Sequence, residues 1–138
     1  VLKLIDDLIP RQHLVFALDT LEYLHKGGRI GGAQALLGSL LRVKPILFLK
    51  DGRVEPLDRV RTWKRVPDRL LELMSDMLGP GNGPVHVGVI HARNEEAAAK
   101  LAEEIYRRFP VAELHTTELG PVIGTHTGPG ALGVAFYR

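Results

Sequence analysis

The chain has 138 residues, 45% of them hydrophobic and 25% charged, which suits one globular domain with a real core. It holds no cysteine, so disulfides, thiolate chemistry and cysteine-based zinc sites are excluded. Its formal charge of +2 is too small to argue for nucleic acid or an anionic membrane surface, and no apolar run is long enough for stable membrane insertion. No signal peptide is visible, so a cytoplasmic protein is the default expectation.

Residues 1–9 carry helical apolar spacing from the first position, without an initial Met. They read as the tail of a helix ended by Pro10, and as a chain entered in mid-course with a preceding domain missing. Residues 13–18 are nearly all apolar and read as a central strand buried on both faces. Asp19 or Thr20 then caps a short helix, Leu21 to Lys26, which Gly27-Gly28 stops. A second helix is expected from Ala33 to Leu41, with Ala33, Leu36, Leu37, Leu40 and Leu41 on one face.

A strand follows over residues 46–50. Asp51-Gly52 then predicts a two-residue hairpin, because both positions tolerate positive φ. The return strand runs from Arg53 to Thr62, and Pro56 within it points to a bulge or an edge. Trp63 to Leu78 reads as an amphipathic helix with Val66, Leu70, Leu73, Met74 and Met77 inward. After a glycine- and proline-rich loop, Val85 to His91 alternates as a strand. Asn94 caps a helix running to Phe109, with acidic residues at its start and arginines at its end. Residues 111–118 and 132–137 are the last strands. The expected fold is α/β: a two-layer sandwich, with a mixed six-stranded sheet and helices mainly on one face, forming a single domain over residues 1–138.

Three clusters could carry chemistry. Gly124-Thr125-His126-Thr127-Gly128-Pro129-Gly130 packs three glycines, two hydroxyls and an imidazole ahead of an apolar run. It reads either as a tight turn between a short helix at Pro121 and the last strand, or as a loop whose N–H groups, hydroxyls and His126 meet an anionic oxygen. Residues 19–32 resemble a phosphate-cradling loop but lack both the Walker ending and the GxGxxG spacing. There Arg29 pairs either with a ligand carboxylate or phosphate, or with Asp19 or Glu22. Arg59, Arg61, Lys64, Arg65 and Arg69 form a basic strip that reads as a solvated face or a docking surface. It lacks the stacking aromatics that RNA requires. No paired histidines or nucleophile motif support a metal site or a hydrolase, and no cofactor is expected.

Leu18-Asp19-Thr20-Leu21-Glu22-Tyr23-Leu24-x-Lys26-Gly27-Gly28-Arg29-Ile30-Gly31, then Lys44-Pro45-Ile46-Leu47 with Asp51-Gly52, Val60-Arg61-Thr62, Ile90-His91-Ala92 and Ile123-Gly124-Thr125-His126-Thr127-Gly128-Pro129-Gly130-x-Leu132-Gly133 resemble the DegV family in order and spacing. The resemblance covers residues 14–138. It implies a protein that binds a long-chain fatty acid. In some members this is the non-catalytic, lipid-presenting subunit of bacterial fatty acid kinase, which supplies acyl phosphate for phospholipid synthesis. It implies two domains, of which this chain is the second. The first, a Rossmann-like domain that adds Ser and Thr hydroxyls to the carboxylate site, is then expected to lie outside this sequence.

The same resemblance implies that His126 sits by the lipid carboxylate, that Arg29 and Arg61 serve the head-group end or kinase docking, and that apolar helix residues line the acyl tail. With Thr125 and Thr127 beside His126, the expected head-group set is His126, Thr125, Thr127 and Arg29, and Leu36, Leu37 and Leu40 offer the apolar surface for the chain. Arg61, Arg59 and Lys64 dock the kinase's ATP-binding subunit. An open apolar groove is expected near His126, where the missing domain would pack. Two other readings remain: a structural or dimerisation domain without ligand binding of its own, and an acyl- or phosphoryl-transfer enzyme using His126 as general base.

Overall fold

The computed structural model describes residues 1–38 and 43–138. Six strands form one mixed sheet in the order β3-β2-β1-β6-β4-β5. They are β1 (His13–Ala17), β2 (Lys44–Lys50), β3 (Arg53–Val60), β4 (Val85–His91), β5 (Val111–Glu118) and β6 (Leu132–Tyr137). All neighbours are antiparallel except β4 and β5. That parallel pair needs a crossover, which the helix between its strands supplies. The helices are α1 (Leu2–Leu8), α2 (Glu22–Lys26), α3 (Val66–Leu78), α4 (Glu95–Arg108) and α5 (Pro121–Thr127).

The two long helices, α3 and α4, cover one face of the sheet. Their apolar stripes, with Leu70, Met74, Leu101 and Ile105 fully buried, meet Val15, Ile46, Val87, Val89 and Val134. Each such burial contributes about 1.5–3 kcal/mol, which makes this layer the main source of stability. The opposite face carries only short pieces: α2, a 3-10 helix at Gly31–Leu36, and α5. Around them lies a smaller cluster of Leu18, Leu21, Leu24, Ile30, Leu47 and Ala131. Short helices cannot roof a six-stranded sheet, so part of this second face stays open.

Asp51 and Gly52 adopt φ of 51° and 76°, as a two-residue hairpin with the right twist requires. Pro56 sits on an edge strand and beside a bulge: Ile46 pairs with Asp58 while the next residue, Leu47, pairs with Pro56. A proline lacks the N–H that an inner strand needs, and both placements avoid that loss.

Several local expectations are corrected. The helix expected from Ala33 is a 3-10 helix ending at Leu36, and residues 39–42, including Leu40 and Leu41, lie outside the described residues. The return strand, expected to reach Thr62, ends at Val60, so Arg61 lies beyond it while Arg59 lies within it. The helix begun at Trp63 is a 3-10 turn until Val66, because Pro67 suits only the first turn of an α-helix. Asn94 makes no side-chain cap. Its amide side chain donates to the Gly130 carbonyl (3.1 Å) and its backbone N–H to Nδ1 of the buried His91 (3.1 Å). Thr20, not Asp19, accepts from the first turn of α2 through Glu22 N–H (3.2 Å).

Candidate functional site

The open second face holds a cavity of about 270 Å³. Its floor comes from the strands. Leu14 and Phe16 of β1, Leu49 of β2 and Ile90 of β4 point away from the helix-covered face, because strand side chains alternate. Gly133 of β6 lies between Phe16 and Ile90 in register. Any side chain there would crowd Phe16 Cβ at 2.8 Å and Ile90 Cγ1 at 3.2 Å, so the floor is low at that point. Leu24 of α2 and Ile123 of α5 supply side walls. Ile123 and the neighbouring Val122 remain 53% and 75% exposed, so apolar surface continues outward from the cavity beside His126.

Among the described residues the lining has three polar side chains: Arg29, His126 and Thr127. The sequence brings Arg29 there through a helix stop. Gly28 takes φ of 70°, and the N–H groups of Gly28 and Arg29 bond back to the carbonyls of His25 (3.1 Å) and Leu24 (2.9 Å). This is a Schellman termination, which turns the chain at α2's end and aims Arg29 at the opening. Its guanidinium donates to the Gly27 carbonyl at 3.3 Å. No carboxylate lies within ion-pair distance of Arg29 among the described residues. Glu22 pairs instead with Lys26, and Asp19 with Lys44 (both 2.6 Å).

The segment read as a turn or a loop at residues 124–130 is in part helix. Gly120 and Pro121 start α5, which takes in Gly124, Thr125, His126 and Thr127. Proline at the first position and a glycine beyond the last frame it. The Gly- and Thr-rich interior hid its period from sequence reading. The helix also redirects the groups expected to face an anion. Gly124 and Gly128 N–H groups donate to helical carbonyls, and Gly130 N–H to the Ala92 carbonyl. The Thr125 hydroxyl donates back to Pro121 at 2.7 Å, and that of the buried Thr127 to Gly128 at 3.3 Å. His126 therefore carries the free hydrogen-bonding capacity of the segment. Its Nδ1 is buried without a partner among the described residues.

Of the other expected site residues, Leu36 packs at the edge of the smaller cluster. Leu37 borders a separate groove with Asp19, Glu22 and His25. Neither is in the wall of the apolar cavity. Sequence reasoning passed over Leu14, Phe16 and Ile90. The available signal was strand β1 being apolar at both alternating sets, which leaves one set free to face a ligand. Arg59, Arg61 and Lys64 are all exposed, and none has an ion-pair partner among the described residues, whereas Arg69 is engaged by Asp58 and Glu72. Among the described residues no three His, Asp or Glu side chains converge as metal ligands would, and no helix is long and apolar enough to cross a membrane.

Asp19 ties this edge together, accepting from Lys44 Nζ (2.6 Å) and from Trp63 Nε1 (3.1 Å). The Lys44 hydrogen bond is the main influence holding its carboxyl below the ordinary 3.8, against a partial burial that acts the other way. A folded-state value below the unfolded one adds stability above the unfolded pKa, and that stability is lost as pH falls through the folded value. Asp19→Asn is therefore expected to lower the melting temperature at neutral pH and to flatten its fall below about pH 4. Melting curves of both forms between pH 3 and 7 check this; parallel curves would contradict it.

Fold and site together define an α/β domain with one helix-packed face and, on the other, an apolar pocket bearing an imidazole and a guanidinium. The chain belongs to the DegV family, described as uncharacterised protein, whose match covers residues 1–138. A DegV domain-containing protein of Streptomyces coelicolor is 51% identical over 120 residues, covering 86% of this chain and 42% of that protein. The solved structure of a DegV family protein from Thermus thermophilus, described by its fatty acid binding, is 39% identical with a TM-score of 0.93, covering 99% of this chain and 49% of that one. DegV of Bacillus subtilis, described as a fatty acid binding protein, is 38% identical with a TM-score of 0.82, covering 99% and 48%. The chain thus spans about half the length of the relatives it matches.

Proposed function

We propose that this domain binds a long-chain fatty acid, with the acyl chain in the apolar cavity and the carboxylate at His126 and Arg29. The observation that carries the reading is the lining itself: an apolar wall interrupted by one imidazole, one guanidinium and one hydroxyl. A fatty acid needs this pairing of a dry slot with a few polar anchors. The fatty acid binding described for the Thermus and Bacillus structures supports it. Thr127 stands in the wall beside the anchors, while Thr125 contributes by holding α5 through Pro121.

The proposal extends to a cytoplasmic, non-catalytic partnership. The domain is one half of a two-domain protein whose other half adds hydroxyl donors to the carboxylate, and the loaded protein presents that carboxylate to the ATP-binding subunit of a fatty acid kinase. Arg59, Arg61 and Lys64 form the docking strip. They are exposed, and among the described residues none forms an ion pair, although Asp58 lies near enough to Arg59 to feel its charge, so a negative partner surface would meet them at little cost. Arg61→Ala in the full-length protein is expected to leave palmitate affinity unchanged while slowing phosphorylation by the kinase. Binding titration and a coupled phosphorylation assay separate the two. Equal phosphorylation rates would remove Arg61 from the docking surface, and absence of palmitate binding in the parent would overturn the whole reading.

A further inference from the structure

We infer that Gly27 is the positioning residue of the head-group site, setting both the His126 imidazole and the Arg29 guanidinium. The inference rests on the fatty-acid reading of the pocket and names what holds its polar end in place. Gly27 sits at φ −80°, ψ −3°, a conformation open to any L-residue. Its lack of a side chain is therefore not a backbone requirement. It is a requirement for space: a Cβ there would collide with Nδ1 of His126 and stand 2.8 Å from Cε1. The imidazole edge lies directly on the Gly27 backbone. The Gly27 carbonyl, meanwhile, accepts from the Arg29 guanidinium at 3.3 Å. One residue of α2's end thus fixes the two cationic or donor groups that line the cavity.

Seating the ring on Gly27 has a chemical consequence. Nδ1 is buried with no partner among the described residues, so Nε2 is the nitrogen left to meet a ligand. Burying an N–H without an acceptor is the costlier of the two arrangements. The neutral ring therefore carries its proton on Nε2 and offers a donor. A fixed donor suits an ionised carboxylate, which only accepts, and discriminates against a long-chain amine.

The test uses the full-length protein with palmitate as probe and compares Gly27→Ala with Gly124→Ala. Gly124 lies in α5, the helix that carries His126, with nothing near its added Cβ, so it controls for a glycine replacement that leaves the ring its space. Imidazole ¹⁵N spectra, recorded without lipid, are expected to show the parent His126 protonated at Nε2. Gly27→Ala is expected to move those signals and to weaken palmitate binding about tenfold or more, the worth of one misplaced bond to a charged group. Gly124→Ala should change neither. If Gly27→Ala melts low, adding His126→Ala should restore melting, because removing the ring removes the collision; failure to restore would overturn the inference. Unchanged imidazole signals in Gly27→Ala would also overturn it. A parent that binds no palmitate while Gly27→Ala still shifts the imidazole would sink the fatty-acid reading and leave the positioning role intact.

Discussion

His126→Ala in the full-length protein is expected to weaken palmitate binding tenfold to hundredfold while the domain stays folded. The energy follows from one hydrogen bond to a charged group, about 1.5–3 kcal/mol. Folding should survive because His126 is only partly buried and lies outside the main core. Its side chain makes no hydrogen bond among the described residues that would be lost, and α5 is held by its own backbone bonds and by Thr125. Where phosphorylation is assayed instead, the misplaced carboxylate should slow the transfer even at saturating lipid. A mutant that fails to fold would show a structural histidine. A mutant that folds, binds and is phosphorylated normally would place the head group elsewhere.

Leu14→Trp is expected to have the larger effect on acyl-chain binding. Leu14 lies mid-floor on β1, opposite the small Ala135 of β6, so an indole fits along the floor without entering the helix-packed core. An indole lying along the floor takes space that the acyl chain would otherwise occupy over Leu14. Each methylene denied burial costs about 0.8 kcal/mol, so displacing four costs about 3 kcal/mol, a loss of more than a hundredfold. Shorter acids should lose much less, and melting should change little. Titration with a series of chain lengths checks this; equal loss at every length would mean the substitution acts on the head-group end.

How much of this was legible in the sequence depends on where the signal was local. Residues 85–91, 111–118 and 132–137 read as strands because alternation and turn residues bound them, and Asp51-Gly52 marked its hairpin. Those features fix the mixed sheet. The roles of neighbouring glycines were not legible. Gly27 and Gly28 look alike in sequence, yet one provides space for a residue a hundred positions away and the other a positive φ. The short helix expected at Pro121 runs on through Thr127, an extension that glycine and threonine hid by blurring the period, and only the fold shows that its N–H groups are already engaged.

Arg29 and His126 stand in separate sequence clusters that only the family resemblance joined at one head group, and the fold places both in the lining of one cavity. The acyl-lining assignment to Leu36, Leu37 and Leu40 assumed that a helix supplies the slot. The cavity floor comes instead from the strand side chains that the long helices do not cover, at Leu14, Phe16 and Ile90. That distinction requires knowing which face of the sheet α3 and α4 take, and strand periodicity alone does not contain it.

The central claim is that the open face of the sheet is a fatty-acid site with its polar end at His126 and Arg29. The most direct measurement is a crystal structure of the full-length protein with palmitate bound. Acyl-chain density is expected to run over Leu14, Phe16 and Ile90, with a carboxylate oxygen within hydrogen-bond distance of His126 Nε2. Palmitate seated on another surface, or lying in this pocket with its carboxylate turned away from His126, would contradict it.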